Sequence, residues 1–321
     1  VQASIGTDAA VNVEGAYGGA LTDRWSARVS AISMSRDDSV RNTAPGAVED
    51  ELEGYSEQAY RAQFLYEGSD FEALLGAHSR HLDGTARLFR ANIFQPGSND
   101  FVPGFDRDTV SIDGVNSQVL EAIGANARLR WDLGRTTLYS ITGWESADSF
   151  SRGDIDGGYG AVFLPESGPG FIPFDAQSAD GLPEHDQFTQ EFRLESNDWG
   201  RFDWQLGAFF FDESLRITSL NYATFAPGQP VNGQAFQEQD NTAWAIYGSG
   251  QFEISDSLEL RAGLRYTDDA KDFVAWRTES PINEFTPGVP EQVGPLYANP
   301  GDTNISWDLA LVQHLSEDVN V

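Results

Sequence analysis

Apolar and polar residues alternate with a period of two along most of this chain, the spacing of a β-strand with two unlike faces. In 188–195, Phe188, Gln190, Phe192 and Leu194 fall on one face, and Thr189, Glu191, Arg193 and Glu195 on the other. Phe202, Trp204, Leu206, Ala208 and Phe210 alternate with Asp203, Gln205, Gly207 and Phe209. Leu258, Leu260, Ala262, Leu264 and Tyr266 oppose Glu259, Arg261, Gly263 and Arg265. Ile123, Ala125, Ala127, Leu129 and Trp131 oppose Gly124, Asn126, Arg128 and Arg130. One segment resists the pattern: in 136–149, Leu138, Ile141 and Trp144 do not share a face.

Tight polar turns punctuate these segments at Leu21–Arg24, Glu67–Asp70, Asp132–Arg135, Asn197–Gly200, Ser255–Ser257 and Ser316–Asp318. Their first residues are 46, 65, 65, 58 and 61 positions apart, and each turn joins two long aromatic-rich arms, as in a hairpin. Consecutive connections of an antiparallel sheet lie at opposite ends. All short turns therefore share one end, and the loops 37–56, 83–117, 150–186, 216–240 and 268–303 share the other.

The predicted strands are 1–6, 11–19, 24–36, 57–66, 71–82, 118–131, 136–149, 187–196, 201–215, 241–254, 258–267 and 303–315, with another starting at Val319. Arms of this length match the roughly 9–11 tilted residues that cross a bilayer better than the usual strand of about 5–6. Trp25, Tyr66, Trp131, Trp144, Trp204, Trp244, Tyr266 and Trp307 lie near strand ends, where interfacial girdles form. The expectation is an all-β fold, an antiparallel transmembrane β-barrel. About twelve strands do not close it, since open edges in lipid leave backbone groups unpaired. The chain, residues 1–321, therefore reads as one partial barrel domain of a larger barrel, with no plug domain.

Composition changes this picture little. No run of 18 apolar residues occurs, so no transmembrane helix is expected. The net charge is −30. Nothing here would neutralise phosphate, which argues against nucleic acid as a partner. The five long loops together carry −19 of that charge; solvated loops explain this, and a cation-attracting mouth is the sharper reading. Cysteine is absent, which removes disulfides, zinc-thiolate sites and cysteine nucleophiles together.

Several stretches resemble the TonB-dependent outer-membrane receptor family. The most specific is Ala243-Trp244-Ala245-Ile246-Tyr247-Gly248, through Gln251-Phe252 and the Ser255 turn, into Leu258 to Phe273 with its Gly263-Leu264-Arg265-Tyr266-Thr267 run. Thr189 to Leu194 followed by Phe202 to Phe211 resembles the preceding hairpin, and Val11 to Arg36 the first hairpins after a plug. The resemblance implies the first half or so of a barrel of about 22 strands. It also implies a Gram-negative outer-membrane location, with membrane lipid as surroundings. The function it implies is uptake of a scarce nutrient, above all a ferric siderophore, by loop capture and plug displacement. TonB would be engaged through an N-terminal region. Two other readings stand beside it: a passive porin-like channel, and a secreted all-β binding module.

Candidate chemistry is sparse, and neither a cofactor nor an enzyme activity is expected. His78 and His81 are three apart on one strand, hence on opposite faces, and share no metal. Asp154-Ile155-Asp156-Gly157-Gly158 lacks the ligand spacing and closing Glu of a calcium loop and reads as a solvated turn. The paired acids Asp37-Asp38, Glu49-Asp50-Glu51 and Asp268-Asp269 read as exposed loop residues, and catalytic pairs need a buried member. The inward arginines Arg128, Arg130, Arg193, Arg261 and Arg265 are expected to pair with Glu191, Glu195 and Glu259, with ligand contact as the alternative. Of these, Arg128, Arg193, Arg261 and Arg265 are candidate substrate contacts, with the loop aromatics Phe101 and Phe105. Phe171, Phe174, Tyr222 and Phe225 are further loop aromatics; for all six, self-packing is the simpler account and contact with an aromatic or apolar-faced ligand the alternative.

Overall fold

The computed structural model describes residues 1–158, 175–223, 228–279, 292–316 and 319–320. The strands are β1 (Gln2–Ile5), β2 (Val11–Ala20), β3 (Trp25–Arg36), β4 (Val40–Asn42), β5 (Glu51–Leu52), β6 (Tyr55–Glu67), β7 (Phe71–Gly84), β8 (Thr109–Val110) and β9 (Ser117–Asp132). They continue with β10 (Thr136–Asp154), β11 (Gln177–Ser196), β12 (Phe202–Tyr222), β13 (Val231–Ser255), β14 (Leu258–Glu279), β15 (Gln292–Ala298), β16 (Gly301–Ser316) and β17 (Val319–Asn320). One sheet holds β1-β2-β3-β6-β7-β9-β10-β11-β12-β13-β14-β16-β17 in chain order, with β15 paired to the far half of β14. Every neighbouring pair in it is antiparallel. Twelve of these strands and the stub at Val319 are those the alternation predicts.

The predicted loops are the main departure. β10 to β14 are 19, 20, 21, 25 and 22 residues long, so much of 150–186, 216–240 and 268–303 is strand. The physical reason is solvent. Beyond a membrane both faces of a hairpin meet water, so Gln234, Gln237, Glu238, Gln239, Asp240 and Asn241 carry no apolar alternation, yet continue the β12–β13–β14 ladder.

The register assigns the faces. One face is apolar and open: Ile246, Leu264 and Trp307 are 59%, 60% and 74% exposed. A sheet that turns such a face outward has no ordinary interior there. The buried apolar cluster lies instead at the long-loop end, where Val40, Leu52, Val110 and Ile112 pack with Leu88 around the small sheet β5-β4-β8. The ambiguous segment is also settled: Leu138, Ser140, Thr142 and Trp144 pair with Trp131, Leu129, Ala127 and Ala125 on the apolar face, while Ile141 pairs with Arg128 on the polar one. The polar groups this leaves on the apolar face satisfy one another. Thr142 Oγ1 donates to Gln190 Oε1 (2.6 Å), and Gln190 Nε2 donates to Ser140 Oγ (3.1 Å). That closure is what a low-dielectric medium demands.

At the short-turn end the outward aromatics form a chain. Ring centroids are 5.0 Å apart for Trp25–Tyr66, 5.9 Å for Tyr66–Phe71 and 5.1 Å for Phe71–Trp131. The adjoining Asp132–Arg135 turn places Gly134 at φ 86°, with its N–H donating to Asp132 Oδ1 (2.8 Å). Left-handed backbone of this kind costs a side chain about 1–2 kcal/mol. Phe71→Leu should keep the apolar area but remove two ring pairs, and lower unfolding free energy in vesicles by about 1–3 kcal/mol. Guanidinium titration followed by tryptophan fluorescence measures it, with Leu75→Phe, outside the chain of rings, as the control.

Candidate functional site

Two polar features stand out, a wall along the strands of the polar face and a knot at the long-loop end of the sheet. In the wall, one register row reads Arg130, Tyr139, Arg193, Gly207, Tyr247 and Arg265 across β9 to β14. Cations and rings alternate along it. Arg193 lies 5.0 Å from the Tyr139 ring and Arg128, one row up, 5.5 Å from it. Arg265 lies 5.6 Å from the Tyr247 ring and 5.9 Å from that of Phe209. Such stacking holds a guanidinium flat without removing its charge.

Carboxylates fasten this row. Arg193 Nε lies 2.8 Å from Glu195 Oε1, and Arg193 Nη1 lies 3.9 Å from Glu191. Tyr247 donates its hydroxyl proton to Glu191. Gly207 makes the arrangement possible: a Cβ there would run into the Tyr247 ring. Gly124 does the same for the His78–Glu145 pair (2.8 Å), because a Cβ would meet both side chains. His81 turns to the other face and pairs with Glu121 at 3.1 Å, so the two histidines are indeed separated.

The four candidate arginines are thus not equivalent. Arg193 and Arg261 are ion-paired, Arg261 with Glu259, while Arg128 and Arg265 rest on tyrosine rings. Arg261 also stands nearer the short turns than the others and outside the row. Phe101 and Phe105 lie elsewhere, on the loop between β7 and β8. There Phe94, Phe101 and Phe105 stack at 5.2 and 4.6 Å, with Arg107 5.4 Å over Phe101. The expected self-packing is present, and it leaves Phe94 and Phe101 51% and 39% exposed beside a cation. Tyr222, at the end of β12, lies under Arg152 at 3.8 Å. Phe171, Phe174 and Phe225 lie outside the described residues.

The knot corrects the reading of Asp154-Ile155-Asp156 as a solvated turn. Asp154 is fully buried. It receives hydrogen bonds from the backbone N–H groups of Asp113 (3.1 Å), Gly114 (3.2 Å) and Gly157 (3.3 Å). Gln177, buried too, accepts from Arg152 (2.9 Å) and Val115 N–H (3.3 Å) and donates to Gln229 (2.7 Å). Segments distant in sequence thus meet through side-chain bonds to backbone and to one another. Carboxylate oxygens of Asp113, Asp154 and Asp156 lie within 4.8 Å of one another, an oxygen-only set that suits a hard cation such as calcium or magnesium. Burial, then the neighbouring Asp156 charge, raises the Asp154 carboxyl to about 6. Burial, then Asp113, raises Asp175 to about 7.

These features define an open antiparallel barrel wall with a charged, ring-lined inner surface and structured loops at one rim. The sequence matches the TonB dependent receptor-like β-barrel over residues 17–321, and the chain belongs to that family. Solved structures agree in fold. The ferric yersiniabactin uptake receptor FyuA of Yersinia pestis matches with a TM-score of 0.72 at 13% identity, over 98% of this chain and 44% of its own. The ferric-catecholate import receptor Fiu of E. coli K12, in its open form, gives 0.65 at 15% identity, over 99% and 52%. The siderophore receptor PiuA of Acinetobacter baumannii gives 0.63 at 12%, over 98% and 47%. The chain spans about half the length of these receptors. A comparison with curated protein sequences finds no match.

Since Asp154 and Asp175 hold protons more tightly folded than unfolded, their contribution is greatest below their ordinary value of 3.8 and is lost as pH rises through about 6 to 7. Amide hydrogen exchange of Gly114 and Gly157, corrected for intrinsic rate, should show more protection at pH 5 than at pH 8. Asp154→Asn keeps an acceptor without the charge and should flatten that dependence.

Proposed function

We propose that the protein takes up a ferric siderophore across the outer membrane of a Gram-negative bacterium. The apolar face meets lipid and the long-loop end faces outward. The observation that carries this reading is the row of arginines held flat on tyrosine rings along the inner wall of a chain whose net charge is −30. Anionic ferric chelates need cationic contacts, and the row supplies them on the inner wall of an otherwise acidic protein. The likeness to receptors named for ferric yersiniabactin and ferric catecholate supports the same class of ligand.

In this reading capture begins on the exposed Phe94–Phe101–Phe105 stack with Arg107, where an aryl ring of the chelate can lie on Phe101 and Phe105. Arg128, Arg193 and Arg265 then form the inner track, and Arg261 stands below them. TonB supplies the energy for plug displacement, as the family implies, and the protein binds and passes its ligand without chemical change.

Deletion of the gene should abolish growth on at least one ferric siderophore as sole iron source; unchanged uptake of every ferric complex would remove the iron reading. Phe101→Ala and Arg107→Ala should each weaken binding of the cognate ferric chelate about tenfold, the loss of one ring or cation contact of about 1–1.5 kcal/mol. Quenching of intrinsic fluorescence on titration with the chelate measures this. Arg265→Ala should lower transport more than surface binding, which radiolabelled iron uptake at 0 °C and 37 °C separates.

A further inference from the structure

Tyr247 reaches across a neighbouring strand of the inner wall. It stands on β13 opposite Gly207 of β12, and Gly207 stands opposite Arg193 of β11. With no side chain at Gly207, the phenol lies over that position, and its hydroxyl arrives at Glu191, two residues from Arg193 on the same face of β11. The hydroxyl donates to Glu191 Oε1, the same oxygen that lies 3.9 Å from Arg193 Nη1. Arg193 is met more closely by Glu195, at 2.8 Å. A neutral donor thus holds a carboxylate that would otherwise draw in a guanidinium.

Two more cations stand on the same stretch of wall. Arg128 of β9 faces Ile141 of β10, and Ile141 faces Glu191, so the three share one register row. On the other side Glu191 faces Phe209, whose ring lies 5.9 Å from Arg265. Arg128 rests on the Tyr139 ring, and Arg265 donates to Thr267 Oγ1 (3.0 Å); neither is ion-paired among the described residues. The Arg193 and Glu191 side chains are only 25% and 24% exposed, so attraction between opposite charges is screened less here than at an open surface. Released from the hydroxyl, Glu191 would neutralise one of the guanidiniums on which an anionic chelate depends.

We propose that Tyr247 is a positioning residue for the inner arginines: its hydroxyl keeps Glu191 off them, so that the row stays cationic toward a multiply anionic ferric chelate. This rests on the uptake reading given above and adds to it a determinant of ligand charge. The ring and the hydroxyl have separate tasks. A phenylalanine would still fill the place over Gly207 and still lie beside Arg265, whereas only the hydroxyl engages Glu191.

The test is radiolabelled iron uptake by the deletion strain carrying the full-length gene, with two anionic probes, ferric tris-catecholate and ferric dicitrate, beside an uncharged ferric trihydroxamate. Tyr247→Phe keeps the ring and removes one oxygen. It should lower uptake of the anionic probe from sub-saturating concentration about tenfold, the usual size of one charge-assisted contact, while binding at the cell surface in the cold is kept. Adding Glu191→Gln to it should restore the wild-type rate, because the released side chain is then uncharged. If the hydroxyl served only to hold the barrel together, the added amide would mend nothing. With receptor abundance in the outer-membrane fraction matched throughout, uptake by Tyr247→Phe equal to wild type, or a double variant as slow as the single one, would overturn the proposal. So would wild-type uptake confined to uncharged ferric complexes. Equal uptake of every ferric complex by the wild-type and deletion strains would instead remove the functional reading beneath.

Discussion

Everything in this structure depends on the register of one antiparallel ladder. A strand's side chains alternate strictly, so a slip of one residue between any two neighbours would turn Arg193 and Tyr247 toward the apolar face and Phe192 and Ile246 away from it. The short turns prevent the slip. With two to five residues between long arms, they leave little choice of pairing, and Gly134 in its left-handed conformation fixes one of them. The aromatic chain from Trp25 to Trp131 then ties neighbouring hairpins together at the same end.

From that register two environments follow on one chain. On the apolar face, Ser140, Thr142 and Gln190 close their polar atoms on one another. On the polar face, glycines open room for long side chains to lie across the wall, and charge is held by rings as well as by carboxylates. Arginine stacked on tyrosine keeps its charge available to a passing anion, whereas arginine locked to glutamate is largely neutralised. This difference sets Arg128 and Arg265 apart from Arg261, while Arg193 does both, stacked on Tyr139 and paired with Glu195.

The fold was largely legible in the sequence because both of its determinants are local. Alternation and turn residues give the main run of strands and the end at which the short connections lie, but not β4, β5, β8 and β15, which fall in segments read as loops. The alternation failed at Ile141, which is apolar yet inward, and at Thr142, which is polar yet outward; only pairing with Arg128 and Ala127 settles those two. The long hairpin tips were read as loops because water on both sides removes the apolar signal that marks a strand. The site was legible in part. The inner arginines follow from the face assignment, but Tyr139 and Tyr247 gain their role only from neighbours on adjacent strands. The knot around Asp154 joins residues up to 62 positions apart in sequence, and no spacing rule within one segment could announce it. Asp154 looked like a turn acid, and its burial comes from what other loops lay upon it.

The ladder has a consequence for how such chains can change over generations. Its hydrogen bonds are made by the backbone, so they are indifferent to which apolar residue faces one way and which polar residue the other. Drift within those two alphabets is nearly free, and only turns, glycines under large rings and mutually satisfied polar groups are held back. Identities of 12 to 15% alongside TM-scores of 0.63 to 0.72 are the expected record of that freedom. Lineages can therefore rewrite the inner wall and the tips, residue by residue, while inheriting the same barrel.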